Sequence, residues 1–440
     1  MAIRKVGIIG GGPAGVAAAK ALSLEPSKFD EIHLFERKPQ LGGLWNYSED
    51  YKAEVKYEIS GSGIEEEPIR SSSPMYRHLE TNITKWTMKY KDFPMPESYP
   101  TFPSRAQIAK YIRDYSKTIE GVTIHLGCGI ESLEKSGTGP WTLTTEDGTS
   151  FDFDAVILAS GHFDKPYIPQ TPGILDWTKV HPGEVTHAKY YNDSTCFRDK
   201  TVLVVGGSAS GIDIAMQATT QAKTVLNTTR SESKSLDPVI SIPEVVHYDP
   251  ENRQVTCLDG QTYGGIDSIV FCTGYLYDFP YLKTYKGDLI TTGKFVKNLY
   301  RHIFYTKDPT LAFLTIPKNV IPMPFSESQA AVVARVFSGR MQLPSLEAME
   351  STLPEPMEGM HVLTFPKDVK YCKELQAWID ESGTKEGFEA EEWTEERTAT
   401  RGLTATIKAR RLVDVLAHVK QLRKNREPYQ LLDCRYSTYI

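Results

Sequence analysis

Residues Lys5-Val6-Gly7-Ile8-Ile9-Gly10-Gly11-Gly12-Pro13-Ala14-Gly15 decide how this chain folds. An apolar, β-branched run enters Gly10-x-Gly12-x-x-Gly15, and a small-residue helical stretch from Val16 to Leu24 follows at once. That order of strand, tight turn and helix is the pattern of a dinucleotide-binding unit. Gly10 permits the turn, Gly12 lets a pyrophosphate approach the backbone, and Gly15 lets helix and strand pack closely. Pro13 and Ala14 lie in the turn before that helix, whose N-terminus offers unpaired N–H groups and a positive dipole end to phosphate.

A glycine turn alone is a weak signal; its surroundings strengthen it. A second apolar run, Glu31-Ile32-His33-Leu34-Phe35, ends in Glu36, twenty-one positions past Gly15. A carboxylate there accepts the hydrogen bonds of an adenosine ribose diol. The opening pattern returns at Thr201-Val202-Leu203-Val204-Val205, which runs into Gly206-x-Ser208-x-x-Gly211. This internal repeat predicts a second dinucleotide unit. Its next strand ends at Arg230, nineteen positions past Gly211, where the first unit has an acid. An acid beside the ribose repels a 2′-phosphate, whereas arginine attracts one. The first cradle is therefore expected to hold FAD and the second NADPH, with Ser208 and Ser210 donating to the pyrophosphate beside Gly206 and Lys234 a candidate second cation.

The fold class expected is α/β, with two dinucleotide-binding Rossmann-like domains and the NADPH domain inserted into the FAD domain. Pro166, Pro169 and Pro172 mark the boundary. Residues 1–168 read as the first part of the FAD domain, 169–277 as the NADPH domain and 278–440 as the return, with C-terminal helices. Composition agrees with a globular chain of this kind: 440 residues, 40% apolar, 24% charged and a net charge of −6. That balance argues against nucleic acid as a partner. No run reaches the roughly 18 consecutive apolar residues of a membrane span, and the chain enters its first strand too soon for a cleavable signal. A soluble cytoplasmic protein is expected. The six cysteines are scattered without a CxxC pair, so neither a zinc site nor dithiol chemistry is read, and no metal is expected.

Between these landmarks, Gln40-Leu41-Gly42-Gly43-Leu44-Trp45 offers close backbone approach and a flat apolar face. Residues 49–70 read as an irregular charged loop. Ser104 reads as the N-cap of a helix to about Lys117, and residues 122–157 as short antiparallel strands around Glu146-Asp147-Gly148. The strands ending Ala159-Ser160-Gly161 and Cys272-Thr273-Gly274 close on small residues, as cofactor-facing strand ends do. Residues 356–400 read as irregular and 403–424 as an amphipathic basic helix, both more packing and surface than chemistry.

With both turns, Glu36 and Arg230 in place, the chain resembles the flavin-containing monooxygenases, particularly their short soluble fungal members. The further marks are Gly42-Gly43-x-Trp45-Asn46, Leu79-x-Thr81-Asn82, Asp92-Phe93-Pro94, Asp213-Ile214-Ala215 and Cys272-Thr273-Gly274-Tyr275. The family motif Phe-x-Gly-x-x-x-His-x-x-x-aromatic is met by Gly183, His187 and Tyr191, with His181 in place of Phe. The resemblance implies an NADPH- and O2-dependent enzyme that forms a C4a-hydroperoxyflavin. That species oxygenates an amine nitrogen, or a thiol or sulfide sulfur, of a small molecule, as an N,N-dimethylaniline monooxygenase does. It implies Asn82 as the catalytic amide. Gly43, Leu44, Trp45, Leu79, Thr81 and Gln329 are then flavin contacts beside the first turn, with Trp45 equally readable as core. His187 is implied to be a hinge residue touching cofactor or backbone. An N-hydroxylating enzyme, a Baeyer–Villiger enzyme and a non-catalytic NADP(H) sensor remain alternatives, and the oligomeric state stays open, a homodimer included.

Overall fold

Strand Lys5–Ile9 lies in the interior of a sheet, and Val6, Ile8 and Ile9 are all buried. A parallel strand covered on both faces reads as an unbroken apolar run, which is how the opening stretch appears in the sequence. It pairs in parallel with Glu31–Glu36 on one side and Ala155–Leu158 on the other. The computed structural model describes residues 2–54, 56–60, 63–67, 73–229 and 236–432. Among them the sheet runs Leu299–Tyr300, Phe304–Tyr305, Leu311–Phe313, Ala155–Leu158, Lys5–Ile9, Glu31–Glu36, Thr123–Leu126. The short returns at the first edge are antiparallel and the rest parallel.

The chain divides into two compact units. The first comprises Met1–Asn46, Ile83–His162 and Leu276–Thr404; the second comprises Tyr47–Asn82, Phe163–Tyr275 and Ala405–Ile440. In the second unit a parallel sheet is ordered Val185–His187, Ser268–Phe271, Thr201–Val205, Thr224–Thr228, Ile240–Ile242. Both units are thus Rossmann-like α/β layers, and the second interrupts the first, as the repeat predicts.

In the first unit, helix Pro13–Ser23 is buried along Ala14, Val16, Ala17, Ala18, Ala21 and Leu22, and it packs on helix Pro322–Phe337. Helix Arg105–Ser116 starts as expected: Ser104 accepts from the Gln107 N–H and the Gln107 side chain accepts from the Ser104 N–H, a capping box. Strands Ile130–Lys135, Trp141–Thr145 and Ser150–Phe153 form the antiparallel sheet read around the 146–148 turn. Thr123–Leu126, read with them, instead extends the parallel sheet.

Other expectations change. Residues 49–70 contain a helix, Glu49–Glu54, and a hairpin of Lys56–Ser60 with Gly63–Glu67. Tyr57 anchors that hairpin, its ring stacked 3.9 Å from Tyr190 and its hydroxyl on Thr186. Residues 356–400 contain helices Lys367–Glu381 and Glu395–Gly402. The apolar stripe Val369, Cys372, Leu375, Ile379 drives the first of these and is buried under a charged exterior. The basic C-terminal helix, Thr404–Asn425, belongs from Ala405 onward to the second unit, whereas the sequence reading kept residues 278–440 in the first domain. Its Val415, Val419 and Leu422 enter that unit's core beside Val202, Ile214 and Met216. Residues 47–82 likewise pack in the second unit.

Candidate cofactor and active site

The first turn is shaped by contacts a larger residue cannot make. Gly10 has φ +107°, and a Cβ on it lies 2.5 Å from the Ala159 carbonyl oxygen. A Cβ on Gly15 lies 1.7 Å from the Gly10 carbonyl oxygen. Gly12 differs: its nearest neighbour is the Gly43 Cα at 3.5 Å, an ordinary contact. Nothing in the chain's own packing requires glycine at 12, at the N-cap of helix Pro13–Ser23. Gly43 closes the other side, with φ +54° and a would-be Cβ 2.7 Å from the Gly12 Cα.

Glu36 is buried beside this turn, with Oε2 accepting from the Gly11 N–H at 2.8 Å and Oε1 from the Lys38 N–H at 2.9 Å. Each carboxylate oxygen keeps a second lone pair for another donor. Leu44 is half-buried, and Trp45 is buried in the short Gly43–Trp45 turn, held by its N–H on the Gly42 carbonyl. Pro13 accepts from the Tyr90 hydroxyl at 3.0 Å, and Tyr90 stacks on Tyr115 at 3.8 Å. Gln329 is fully buried: its Oε1 accepts from the Thr315 N–H at 2.7 Å and its Nε2 donates to the Tyr371 hydroxyl at 2.9 Å. In this arrangement both ends of its amide brace the interior of the first unit.

The second turn repeats the first. Gly206 has φ +121° with a would-be Cβ 2.7 Å from the Cys272 carbonyl oxygen, and that of Gly211 lies 1.9 Å from the Gly206 oxygen. Ala159 N–H donates to Ile9 in the first unit as Cys272 N–H donates to Val205 in the second. Ser208 is the N-cap of helix Ala209–Ala218 and makes no side-chain cap bond; it and Ser210 are exposed. Arg230 and Lys234 lie outside the described residues, two and six positions past the end of strand Thr224–Thr228.

The segment carrying Leu79, Thr81 and Asn82 belongs to the second unit. The Tyr76 hydroxyl bonds Asp213 and the Gln217 amide donates to the His78 carbonyl at 3.4 Å, both on helix Ala209–Ala218. Burial pushes the Asp213 carboxyl up to about 6, against the opposing Tyr76 hydrogen bond and Lys408 charge. Glu80 meets Arg411 at 2.7 Å and Lys408 at 2.8 Å, and Lys408 also donates to the Thr81 carbonyl at 3.0 Å. Burial raises the Glu80 carboxyl, but the Arg411 hydrogen bond and the two cations outweigh it and leave it below its ordinary value. Leu79 is half-buried, Thr81 buried and Asn82 exposed. Sequence reading took Lys408 and Arg411 for surface; their spacing of three on a helix was the available signal.

His187 is buried, with Nε2 on the Gly274 carbonyl at 3.0 Å and Nδ1 accepting from the Lys189 N–H at 3.1 Å. Burial lowers it to about 3, so it is neutral and fixed to backbone. His181, where the family pattern has Phe, uses its polarity: Nε2 meets the Pro250 carbonyl at 2.9 Å, and Arg253 donates to Nδ1 at 3.1 Å. Among the described residues no group of His, Cys, Asp and Glu is placed to hold a metal, and no helix is long and apolar enough to cross a membrane.

The profile of the flavin-binding monooxygenase-like family matches residues 3–243 and 239–381. The chain is 35% identical to the thiol-specific monooxygenase of Saccharomyces cerevisiae, over 97% of this chain and 98% of the relative. It is 30% identical to the Arabidopsis thaliana flavin-containing monooxygenase FMO GS-OX3, over 83% and 80%. Among solved structures, the S-allyl-L-cysteine S-oxygenase of Allium sativum superposes with a TM-score of 0.77 at 26% identity, covering 96% of this chain and 98% of that one. Two glycine cradles of matching geometry, on a chain similar to these enzymes over nearly its whole length, identify it as a member of the flavin-binding monooxygenase-like family.

Proposed function

We propose that the protein is an NADPH- and O2-dependent flavin monooxygenase that oxygenates the sulfur of a small thiol or thioether. The observation that carries this reading is the doubled cradle, the first turn beside a buried acid and the second repeating its geometry, on a chain 35% identical to a thiol-specific monooxygenase. Gly10, Gly12, Pro13, Ala14 and Gly15 would hold the FAD pyrophosphate, Glu36 the ribose, and Gly43, Leu44 and Trp45 the adjoining surface. Gly206, Ser208 and Ser210 would hold the NADPH pyrophosphate and Arg230 its 2′-phosphate. A flavin reduced by NADPH supplies the activation of O2 and the delivery of one oxygen atom to a soft nucleophile.

The chain's own part is to bind, orient and keep water away. A thiolate or thioether is itself the nucleophile, so no protein base has to create one. Neutral His187 holds the Gly274 backbone and moves no proton. Asn82 offers an amide that donates a hydrogen bond without releasing a proton, which suits a reaction that early protonation would divert to hydrogen peroxide. The thiol-specific monooxygenase and the S-allyl-L-cysteine S-oxygenase act on sulfur, by name, so sulfur is proposed ahead of the amine that the resemblance alone allowed.

The test is the purified protein loaded with FAD, supplied with NADPH and air, and challenged with parallel panels of thiols, thioethers, tertiary amines and ketones. Sulfoxide or disulfide formed in step with NADPH consumption supports the reading. A protein that takes up no flavin, or turns over ketones alone, overturns it.

A further inference from the structure

We propose that the C-terminal helix takes part in the oxygenation: Lys408 and Arg411 are positioning residues that fix Asn82 through Glu80 and the Thr81 peptide. This rests on the role of Asn82 given above. The argument is local. The Thr81 carbonyl belongs to the same rigid plane as the Asn82 nitrogen, so the 3.0 Å bond from Lys408 Nζ to that oxygen sets the peptide from which Asn82 departs. Glu80, one residue earlier, is gripped by both cations: Arg411 donates through Nη2 at 2.7 Å and Nε at 3.2 Å, and Lys408 at 2.8 Å.

The grip is itself braced. The Arg411 side chain is 1% exposed, that of Glu80 10%, and Arg411 also donates to the Leu432 carbonyl at 2.9 Å. The segment's other end is tied by Tyr76 to Asp213 and by His78 to Gln217, on the helix that follows the second turn. Asn82 is thus the exposed last residue of a segment tied to the second unit through Tyr76, His78, Glu80 and the Thr81 carbonyl. A helix needed only for packing would be served by Val415, Val419 and Leu422; charged side chains brought to an acid whose side chain is 10% exposed, two residues from an exposed amide, serve placement.

Removing Arg411 strands Glu80 as a buried charge and endangers the fold. Lys408 is the better probe: its side chain is 29% exposed, and Arg411 remains on Glu80 without it. The experiment compares wild type, Lys408→Met, Lys408→Arg and Lys420→Ala, the last changing an exposed lysine of the same helix that pairs with Asp237. Hydrogen exchange on the flavin-free proteins is expected to quicken at residues 80–83 in Lys408→Met alone, at an unchanged melting temperature. With flavin, NADPH and a thiol that wild type oxygenates, Lys408→Met is expected to raise the ratio of peroxide to product about tenfold, the scale of one charged hydrogen bond. NADPH, a proton and O2 then end as NADP+ and hydrogen peroxide. Lys408→Arg restores coupling, and Lys420→Ala never loses it. Should Lys408→Met couple like wild type, or lose coupling only together with its fold and without rescue by arginine, the positioning role is overturned while the enzyme assignment stands. If wild type oxygenates none of the panel, the assignment fails and takes this inference with it.

Discussion

Gly12 and Gly15 stand three residues apart and ask for glycine on different grounds. At Gly15 the neighbour is the chain itself, 1.7 Å from a would-be Cβ, so Gly15→Ala is expected to yield protein that does not fold. At Gly12 the nearest protein atom is 3.5 Å away, so Gly12→Ala should fold normally by circular dichroism and lose FAD affinity by roughly tenfold or more, about 1.4 kcal/mol. Equilibrium dialysis against FAD checks this, and undiminished affinity would remove the pyrophosphate from Gly12. Asn82→Ala should leave FAD binding intact and divert NADPH electrons from product to peroxide, measured with a peroxide-coupled dye. Product formed one-for-one with NADPH in that variant takes the amide out of the reaction. Both expectations were readable from the sequence because the turn and the Leu79-x-Thr81-Asn82 motif are local patterns. The bracing role of Gln329 has no local signal, because its partners, Thr315 and Tyr371, lie 14 and 42 positions away in the chain.

Helix Pro322–Phe337 shows what an element can conceal. Its Glu327 is buried in the first unit, accepting from the Lys91 N–H at 3.0 Å and meeting the Tyr115 hydroxyl, with Lys89, Glu391 and Arg397 the charged groups around it. Burial raises its carboxyl to about 8, the Lys91 bond opposes that, and Glu391 adds to it. A carboxyl that is harder to ionise folded than unfolded favours the fold while protonated, and that contribution fades as pH rises from the unfolded value, near 4.5, through 8. Glu327→Gln keeps an acceptor for Lys91 and removes the titration, so its melting temperature relative to wild type should climb from pH 5 to pH 8.5. A difference that is flat across that range means Glu327 does not carry this charge cost. The sequence carried no sign of this: Glu327 sits between two serines, with no local pattern to mark it as buried. The same blindness hid helix Lys367–Glu381 behind its charged face and the Tyr57 hairpin behind its acids. In each case long-range burial decided what local polarity had obscured.

Over the whole molecule, the doubled turn made the architecture legible, since each Rossmann-like unit announces itself by one strand, one glycine turn and one helix. What stayed hidden is how non-contiguous stretches are shared out. Residues 47–82 and the helix from Ala405 belong with the second unit, through contacts such as Lys408 with Glu80 that span 328 positions. The two cradles should answer to different ligands, and this can be read without turnover. Hydrogen exchange on the flavin-free protein should slow at residues 10–15 and 36–45 when FAD is added. With FAD bound, NADP+ should slow residues 206–211 and leave 10–15 as they were. NAD+, lacking the 2′-phosphate, should need roughly tenfold higher concentration for the same protection, the worth of one charge-assisted bond from Arg230. Arg230→Ala should erase that difference while sparing the FAD response. If NADP+ protects the first turn instead, or NAD+ matches NADP+ in the native protein, then the acid at 36 and the arginine at 230 do not sort the two nucleotides, and the assignment of the cradles must be reversed or abandoned.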